Sequence, residues 1–267
     1  LGGVFCSPVA SAAGLVIADG AKSAYTLVVA SDASPSERHG AKELQTFLKE
    51  ISGATLPIAT DSDQVKGPMI LLGRSKKLDE LVKIDFEALG DEGFVMRTAP
   101  PHLILAGGRQ RGSLYAVYTF LEEQLGCRWF TPKVSRIPKR ERIELGSIEE
   151  LQAPPALEFR SLTLTGIDPD WAARNKLNGG LQRIELGDVT GWGYLELEET
   201  RGGGRVWKGS HTFHDFLPPK EYFDEHPEYF ALSGGKRSTV QICLTHPEVL
   251  KIVAKNVKDR VRATPRA

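Results

Sequence analysis

The sequence predicts an α/β protein: an α+β N-terminal domain with a mixed sheet and packed helices, followed by an incomplete β/α barrel of the TIM type. Three stretches predict it. Pro101 to Phe130 runs from an apolar strand through a glycine-bearing turn into a helix, and out again into bulky apolar residues. Ser34 to Gly53 has the start and stop signals of a second helix and lies between β-rich runs. After Ala153-Pro154-Pro155 the pattern becomes strand, helix and glycine turn, which is how a β/α barrel begins.

Composition narrows the possibilities. Of 267 residues, 41% are hydrophobic and 25% charged, a globular composition rather than a disordered or membrane-embedded one. Thirty-four basic residues balance 34 acidic ones, so nothing favours a polyanion, and neither nucleic acid nor a membrane span is expected. Residues 1–23 read as a signal-peptide remnant and leader. Leu1 to Cys6 is apolar and Ala10-Ser11-Ala12 is a small-x-small cleavage site, which predicts a secreted or periplasmic protein whose signal begins upstream. Cys127 and Cys243 fall one in each half and make no disulfide framework, so both are expected as buried thiols.

The first domain is expected over residues 24–150. Tyr25 to Ala30 is a strand by its β-formers. Ser34, Pro35 and Glu37 form a capping box with proline at the first helical position, Ala41, Leu44, Leu48 and Ile51 give the helix its apolar face, and Gly53 closes it. Pro57 and Ile58 lead into an edge strand, and Pro68 to Gly73 is the continuous apolar run of a strand buried on both faces. Arg74 to Leu89 is expected as one helix. Phe94 to Thr98 and His102 to Ala106 flank a tight Ala99-Pro100-Pro101 connection as an antiparallel hairpin. The next helix carries Leu114, Val117, Tyr118, Leu121 and Leu125 as one stripe facing the sheet, and Gly126 caps it. Arg136 to Ile148 reads as a charged exit whose basic run, Lys139, Arg140 and Arg142, is solvated.

A proline linker is expected at residues 151–156, with the partial barrel over 157–267. Leu157 to Thr165 alternates as its first strand, and Asp168-Pro169 caps a helix reaching about Leu177. Arg183 to Gly209 reads as a long loop, Ser210 to Phe216 as the end of a second strand, and Val240 to Leu244 as a third. A hairpin is expected around Ser233-Gly234-Gly235, and Pro247 opens a helix with Val249, Leu250, Val253 and Val257 on one face. A closed barrel takes about 250 residues, so this stretch predicts roughly three of eight units and a truncated or partial domain.

Barrel enzymes work at the C-terminal ends of their strands. Those positions hold Asp168 and Asp170, then His211 and His214, then Thr245 and His246. Asp168 is the candidate catalytic carboxylate, in competition with a role as helix cap. Trp192 and Trp207 are candidates for stacking on a pyranose face. His211, His214, Asp215, His226 and His246 could supply zinc ligands, but the glycines and prolines between them argue against a fixed geometry, so no metal and no cofactor is expected. Gly107 and Gly112 with Arg109 and Arg111 are spaced like a phosphate loop. Ser113 and Leu114 stand where that loop needs Lys and then Ser or Thr, which argues against nucleotide binding.

GGRQRGSLYAVYTFLEEQLGCRWF (Gly107 to Phe130) resembles the end of the non-catalytic α/β domain that precedes the barrel in α-glucuronidases and β-hexosaminidases. SPSERHGAKELQTFLKEISGATLPI (Ser34 to Ile58) resembles the first helix of the same domain. HTFHDFLPPKEYFDEHPEYFAL (His211 to Leu232) with QICLTHPEV (Gln241 to Val249) resembles an uncharacterised bacterial barrel family found behind it. The resemblance implies a carbohydrate partner and hydrolysis of an O-glycosidic bond by a carboxylate pair. It places the catalytic acid near a fourth strand, outside this sequence, so the chain itself is expected to be inactive; the alternative is a non-catalytic carbohydrate-binding or scaffold module. It also implies substrate contacts at Arg160, Arg174, Asn175 and His211. His246 stands where the family pattern has Asn.

Overall fold

The computed structural model describes residues 14–165, 167–186, 189–194, 197–204 and 212–263. Its chain divides into two compact units, Leu1–Gly204 and Arg205–Ala267.

In the first unit the stretch expected as leader, 1–23, includes a strand of the fold. Residues 1–13 lie outside the described residues, but Leu15–Asp19 is a strand (β1), with Ile17 fully buried. It pairs antiparallel with β9 (Arg142–Leu145), a strand read from sequence as part of a charged exit. Ile143 and Leu145 face inward while Arg142 and Glu144 face out, so the period-2 alternation was present beneath the charge.

β2 (Thr26–Val29) leads into α1 (Pro35–Ser52), and the sequence signals are realised atom by atom. Ser34 Oγ accepts from the Glu37 N–H at 3.2 Å, Glu37 Oε2 accepts from the Ser34 N–H at 2.8 Å, and Gly53 ends the helix at φ 83°. β3 (Ile58–Thr60) and β4 (Met69–Leu72) follow. The single helix expected over 74–89 is two, α2 (Lys76–Leu81) capped by Ser75 and α3 (Phe86–Leu89) capped by Asp85. β5 (Phe94–Ala99) and β6 (His102–Gly107) form the expected antiparallel hairpin.

These strands make a six-stranded mixed sheet in the order β10, β5, β6, β4, β2, β3, with β6, β4, β2 and β3 mutually parallel. Its edge strand β10 (Glu149–Gln152) takes the first residues of the expected linker into the sheet, which leaves the prolines at 154 and 155 just beyond it. Strand alternation splits the core in two. Ile70, Leu72, Leu103 and Leu105 face α1 and the helix Gly112–Thr119, while Leu71, Ile104 and Ala106 face Leu78 of α2 and Phe86 of α3.

α4 (Gly112–Thr119) is buried at all eight positions, so the expected single stripe understates it. The sheet and α1 pack against it and Arg160 donates to its Tyr115 hydroxyl, and it runs on as a π-helical turn, Phe120–Gln124, before Gly126 turns the chain at φ 80°. β7 (Arg128–Thr131) and β8 (Val134–Arg136) then make a separate hairpin. Its Trp129 packs edge-on against Phe47 and Tyr118, and Cys127 just before it is buried as expected, with burial pushing its thiol up to about 11.

β11 (Ser161–Thr165), α5 (Pro169–Arg174) and β12 (Gly179–Leu186) form a strand-helix-strand unit with β11 and β12 parallel, as expected for a β/α repeat. The loop expected at 183–209 is overturned over much of its length. Residues 183–186 complete β12, and β13 (Val189–Tyr194) folds back antiparallel on it, because the alternating residues on either side of Gly187-Asp188 suit a hairpin. A 3₁₀ turn, Glu199–Arg201, follows.

The second unit is small. The strand end expected at 210–216 is a helix, α6 (Phe213–Phe216), followed by α7 (Pro219–Tyr222) and a 3₁₀ turn at Pro227–Tyr229. β14 (Phe230–Ser233) and β15 (Lys236–Ile242) form the expected hairpin across Gly234 and Gly235, both at positive φ. Of Val240 to Leu244, expected as a third barrel strand, residues 240–242 are therefore the end of that hairpin's second arm. α8 (Pro247–Ala263) buries Val249 on Leu217, Tyr229, Phe230 and Ile242, whereas Leu250, expected on the same face, is 67% exposed. Cys243, expected buried, is half-exposed, and both described cysteines are free. Among the described residues no helix is long and apolar enough to cross a membrane.

Candidate functional site

The glycine loop between β6 and α4 owes its spacing to packing. A Cβ on Gly107 would lie 2.5 Å from the Gly93 carbonyl oxygen, and one on Gly108 2.6 Å from that of Asp91, so the 90–93 segment presses directly on the loop. Three of the amides at the start of the helix are already used: Arg111 N–H and Gly112 N–H donate to Asp91 O at 3.0 and 2.9 Å, and Ser113 N–H donates to Gly108 O at 3.3 Å. Arg111 turns inward, fully buried, with Nε donating to Glu92 Oε1 at 2.7 Å and one terminal nitrogen donating to Gly202 O at 2.7 Å.

Glu92 is the centre of a polar knot. Arg160 meets its other oxygen at 2.8 Å, and Asn178 Nδ2 donates to Oε1 at 3.2 Å. Burial would raise the Glu92 carboxyl, but Arg160 and Arg111 outweigh it and hold the group below its ordinary value. Arg160 also donates to Lys176 O, Leu157 O and the Tyr115 hydroxyl. It stands before β11, at the strand's N-terminal end, opposite to where a barrel keeps its chemistry.

Arg174 is likewise bound internally. It grips Glu43 of α1 with two nitrogens, at 2.9 and 3.1 Å, and its guanidinium lies over Phe47 and Trp129. Asn175 Nδ2 donates to Trp171 O at 2.9 Å and Trp129 O at 3.3 Å. Asp168 caps α5, accepting from the Trp171 N–H at 2.8 Å, so its capping role is the one realised. Asp170 pairs with Arg201 at 2.6 Å; burial would raise its carboxyl, and Arg201 brings it below its ordinary value. Trp192 lies in β13, paired in register with Arg183. Trp207 and His211 lie outside the described residues. His226 and His246 both pack on the Tyr229 ring, and among the described residues no three His, Cys, Asp or Glu side chains converge as a metal-binding group.

The arrangement that sequence reasoning missed lies along the first two turns of α1. There the 199–203 turn covers two adjoining clefts of about 390 Å³ each, which meet at Pro35. One is lined by Ser34, Ser36, Asp91, Arg109, Gln110 and Glu199. The other is lined by Arg38, His39, Lys42 and Thr200. Burial pushes the His39 imidazole below its ordinary value, against the opposing pull of Glu43 and Asp170. These residues come from separate segments brought together by the fold, so no local motif announces them.

A profile described as glycosyl hydrolase family 67 N-terminus matches residues 17–120, and one described as a domain of unknown function (DUF4838) matches residues 129–267. No curated protein matches. Among solved structures, the N-acetyl-β-hexosaminidase of Streptomyces plicatus is similar at 20% identity and a TM-score of 0.43, covering 65% of this chain and 32% of its own. The β-N-acetylhexosaminidase of Streptomyces coelicolor A3(2) gives 19% and 0.42, covering 65% and 32%. A family GH115 4-O-methyl-α-glucuronidase with specificity for decorated arabinogalactans gives 19% and 0.40, covering 57% and 20%. The chain thus spans a third or less of the enzymes it resembles.

Proposed function

Because the chain belongs to the family described as a domain of unknown function (DUF4838), with a glycosyl hydrolase family 67 N-terminal domain ahead of it, we propose that it serves a carbohydrate-active protein of the glycoside-hydrolase class. The match over residues 17–120 carries the proposal. In it the α/β domain is a buttress. Glu92 and Glu43, both within that domain, hold Arg160 and Arg174 and so fix the two ends of the β11–α5 unit, which we take as the start of a TIM-like barrel. The parent reaction would be hydrolysis of an O-glycosidic bond by paired carboxyls. Glu92, Asp168 and Asp170 are engaged in ion pairs or a cap, which supports expecting no hydrolysis from this chain alone. The apolar Leu1 to Cys6 run and the small-x-small Ala10 to Ala12 support export.

The test is release of p-nitrophenol from uronide and hexosaminide substrates, by this chain and by the chain extended with any coding sequence that continues past Ala267. Release by the extended form alone supports the reading; no release by either, with no glycan bound on an array, overturns it. The polar clefts on α1 favour a second reading, in which this part of the protein binds glycan without cleaving it.

A further inference from the structure

The clefts on α1 break two local rules of helix electrostatics. Arg38 sits in the first turn, at the positive end of the helix dipole, where a carboxylate is favoured. Lys42 follows four residues later on the same face, where like charges repel. Neither has a carboxylate partner among the described residues. Arg38 is held by the Ala33 and Ser31 carbonyls at 3.0 and 3.2 Å, so its charge is fixed in place without being neutralised. Glu37, beside Arg38, is taken up in the capping box, and Glu43, beside Lys42, is committed to Arg174. Unrelieved conflicts of this kind mark functional positions more often than structural ones.

The adjoining cleft has a different character. The side chains of Asp91, Gln110 and Glu199 line it and have no partner among the described residues. Carboxylates accept from hydroxyls and a carboxamide both donates and accepts, which is the set of bonds a sugar ring's hydroxyls ask for. No Trp, Tyr or Phe lines either cleft, so recognition would rest on hydrogen bonds and charge rather than stacking. Each volume falls in the roughly 300–1,000 Å³ range of small-molecule sites.

We propose that this groove is a glycan-binding site for an acidic oligosaccharide, with Asp91, Gln110 and Glu199 taking the hydroxyls of one sugar residue and Arg38 and Lys42 the oxyanion of its neighbour. The oxyanion is a carboxylate or a sulfate ester, which share the chemistry a guanidinium and an ammonium recognise. The site rests on the carbohydrate reading above.

The experiment is a calorimetric and NMR titration of the 267-residue chain with an oligogalacturonate, a sulfated oligosaccharide, a neutral oligosaccharide of equal length and inorganic sulfate. At least one acidic saccharide is expected to bind about tenfold more tightly than the neutral one at low salt, a difference of about 1.4 kcal/mol, and to lose that advantage as salt screens the cations. Whichever acidic probe binds more tightly identifies the oxyanion. Lys42→Ala and Arg38→Ala should remove the advantage and leave neutral binding unchanged, whereas Gln110→Ala combined with Glu199→Ala should weaken both; melting curves establish that each variant folds. Equal binding of acidic and neutral probes, inorganic sulfate binding as tightly as the saccharide, or insensitivity to all four substitutions would overturn the proposal. Saccharide shifts mapping away from α1 would sink the groove and leave the carbohydrate reading standing. If no saccharide binds and the extended chain cleaves none, the wider reading fails with it.

Discussion

Removing the Glu92 carboxylate would strand the fully buried guanidinium of Arg111 and most of that of Arg160 in a poorly solvated place. Breaking one side of a buried ion pair typically costs about 3–5 kcal/mol, so Glu92→Ala is expected to lower the urea midpoint sharply, with Glu92→Gln milder. The pH dependence follows from the sign of the shift. The folded carboxyl is held below its ordinary value of about 4.3, so its contribution is fully present above that value and lost as pH falls through the folded one. Midpoints of the native protein should therefore fall below about pH 4, and the Glu92→Gln variant should show a shallower acid slope. Asp168 calls for a different measurement. As the cap of α5, Asp168→Ala should cost about 0.5–2 kcal/mol of stability, and an extended chain with hydrolase activity should keep its turnover; a loss of turnover without loss of stability would restore a catalytic role. Residues such as Arg160 were readable as to position but not as to partner, because Glu92 lies far upstream and only the folded chain brings the two together.

Among the elements, the loop from β6 to α4 separates a packing glycine from an incidental one. A Cβ at Gly108 would meet backbone atoms of the 90–91 segment, which cannot give way as a flexible side chain could. Gly108→Ala is expected to cost at least the 1–3 kcal/mol of overpacking, while Gly146→Ala, with nothing within 4 Å, should stay within about 0.5 kcal/mol; thermal melts of the two variants compare them directly. The same loop indicates what pattern reading can reach. Capping and periodicity identified α1, the β5–β6 hairpin and α4 because those signals are local. They missed β1, β9 and β10, short strands whose pairing partners lie far off in the chain. They read β13 and the last residues of β12 as loop because glycine is abundant there. The clefts on α1 were invisible for the same reason of distance, since Asp91, Gln110 and Glu199 share no motif.

Over the whole molecule the hydrophobic core is unevenly shared. The first unit buries the large cluster around α1, α4 and the sheet, whereas among the described residues five buried side chains, Leu217, Tyr229, Phe230, Ile242 and Val249, form the core of the second. A core that small yields little net stability, so hydrogen exchange in residues 212–263 is expected to be faster than in β4 and β6, with a separate, lower transition by calorimetry. A single transition with uniform protection would overturn that expectation. β11 adds a consequence for anyone handling the purified protein. It is the outermost strand of its sheet among the described residues, and Leu162 within it and Leu157 and Phe159 just before it are 40%, 71% and 40% exposed. An open row of amides flanked by greasy side chains invites a second molecule to zip alongside. Stocks of this chain should therefore turn cloudy on concentration, and a charged residue in place of Leu162 should keep them clear.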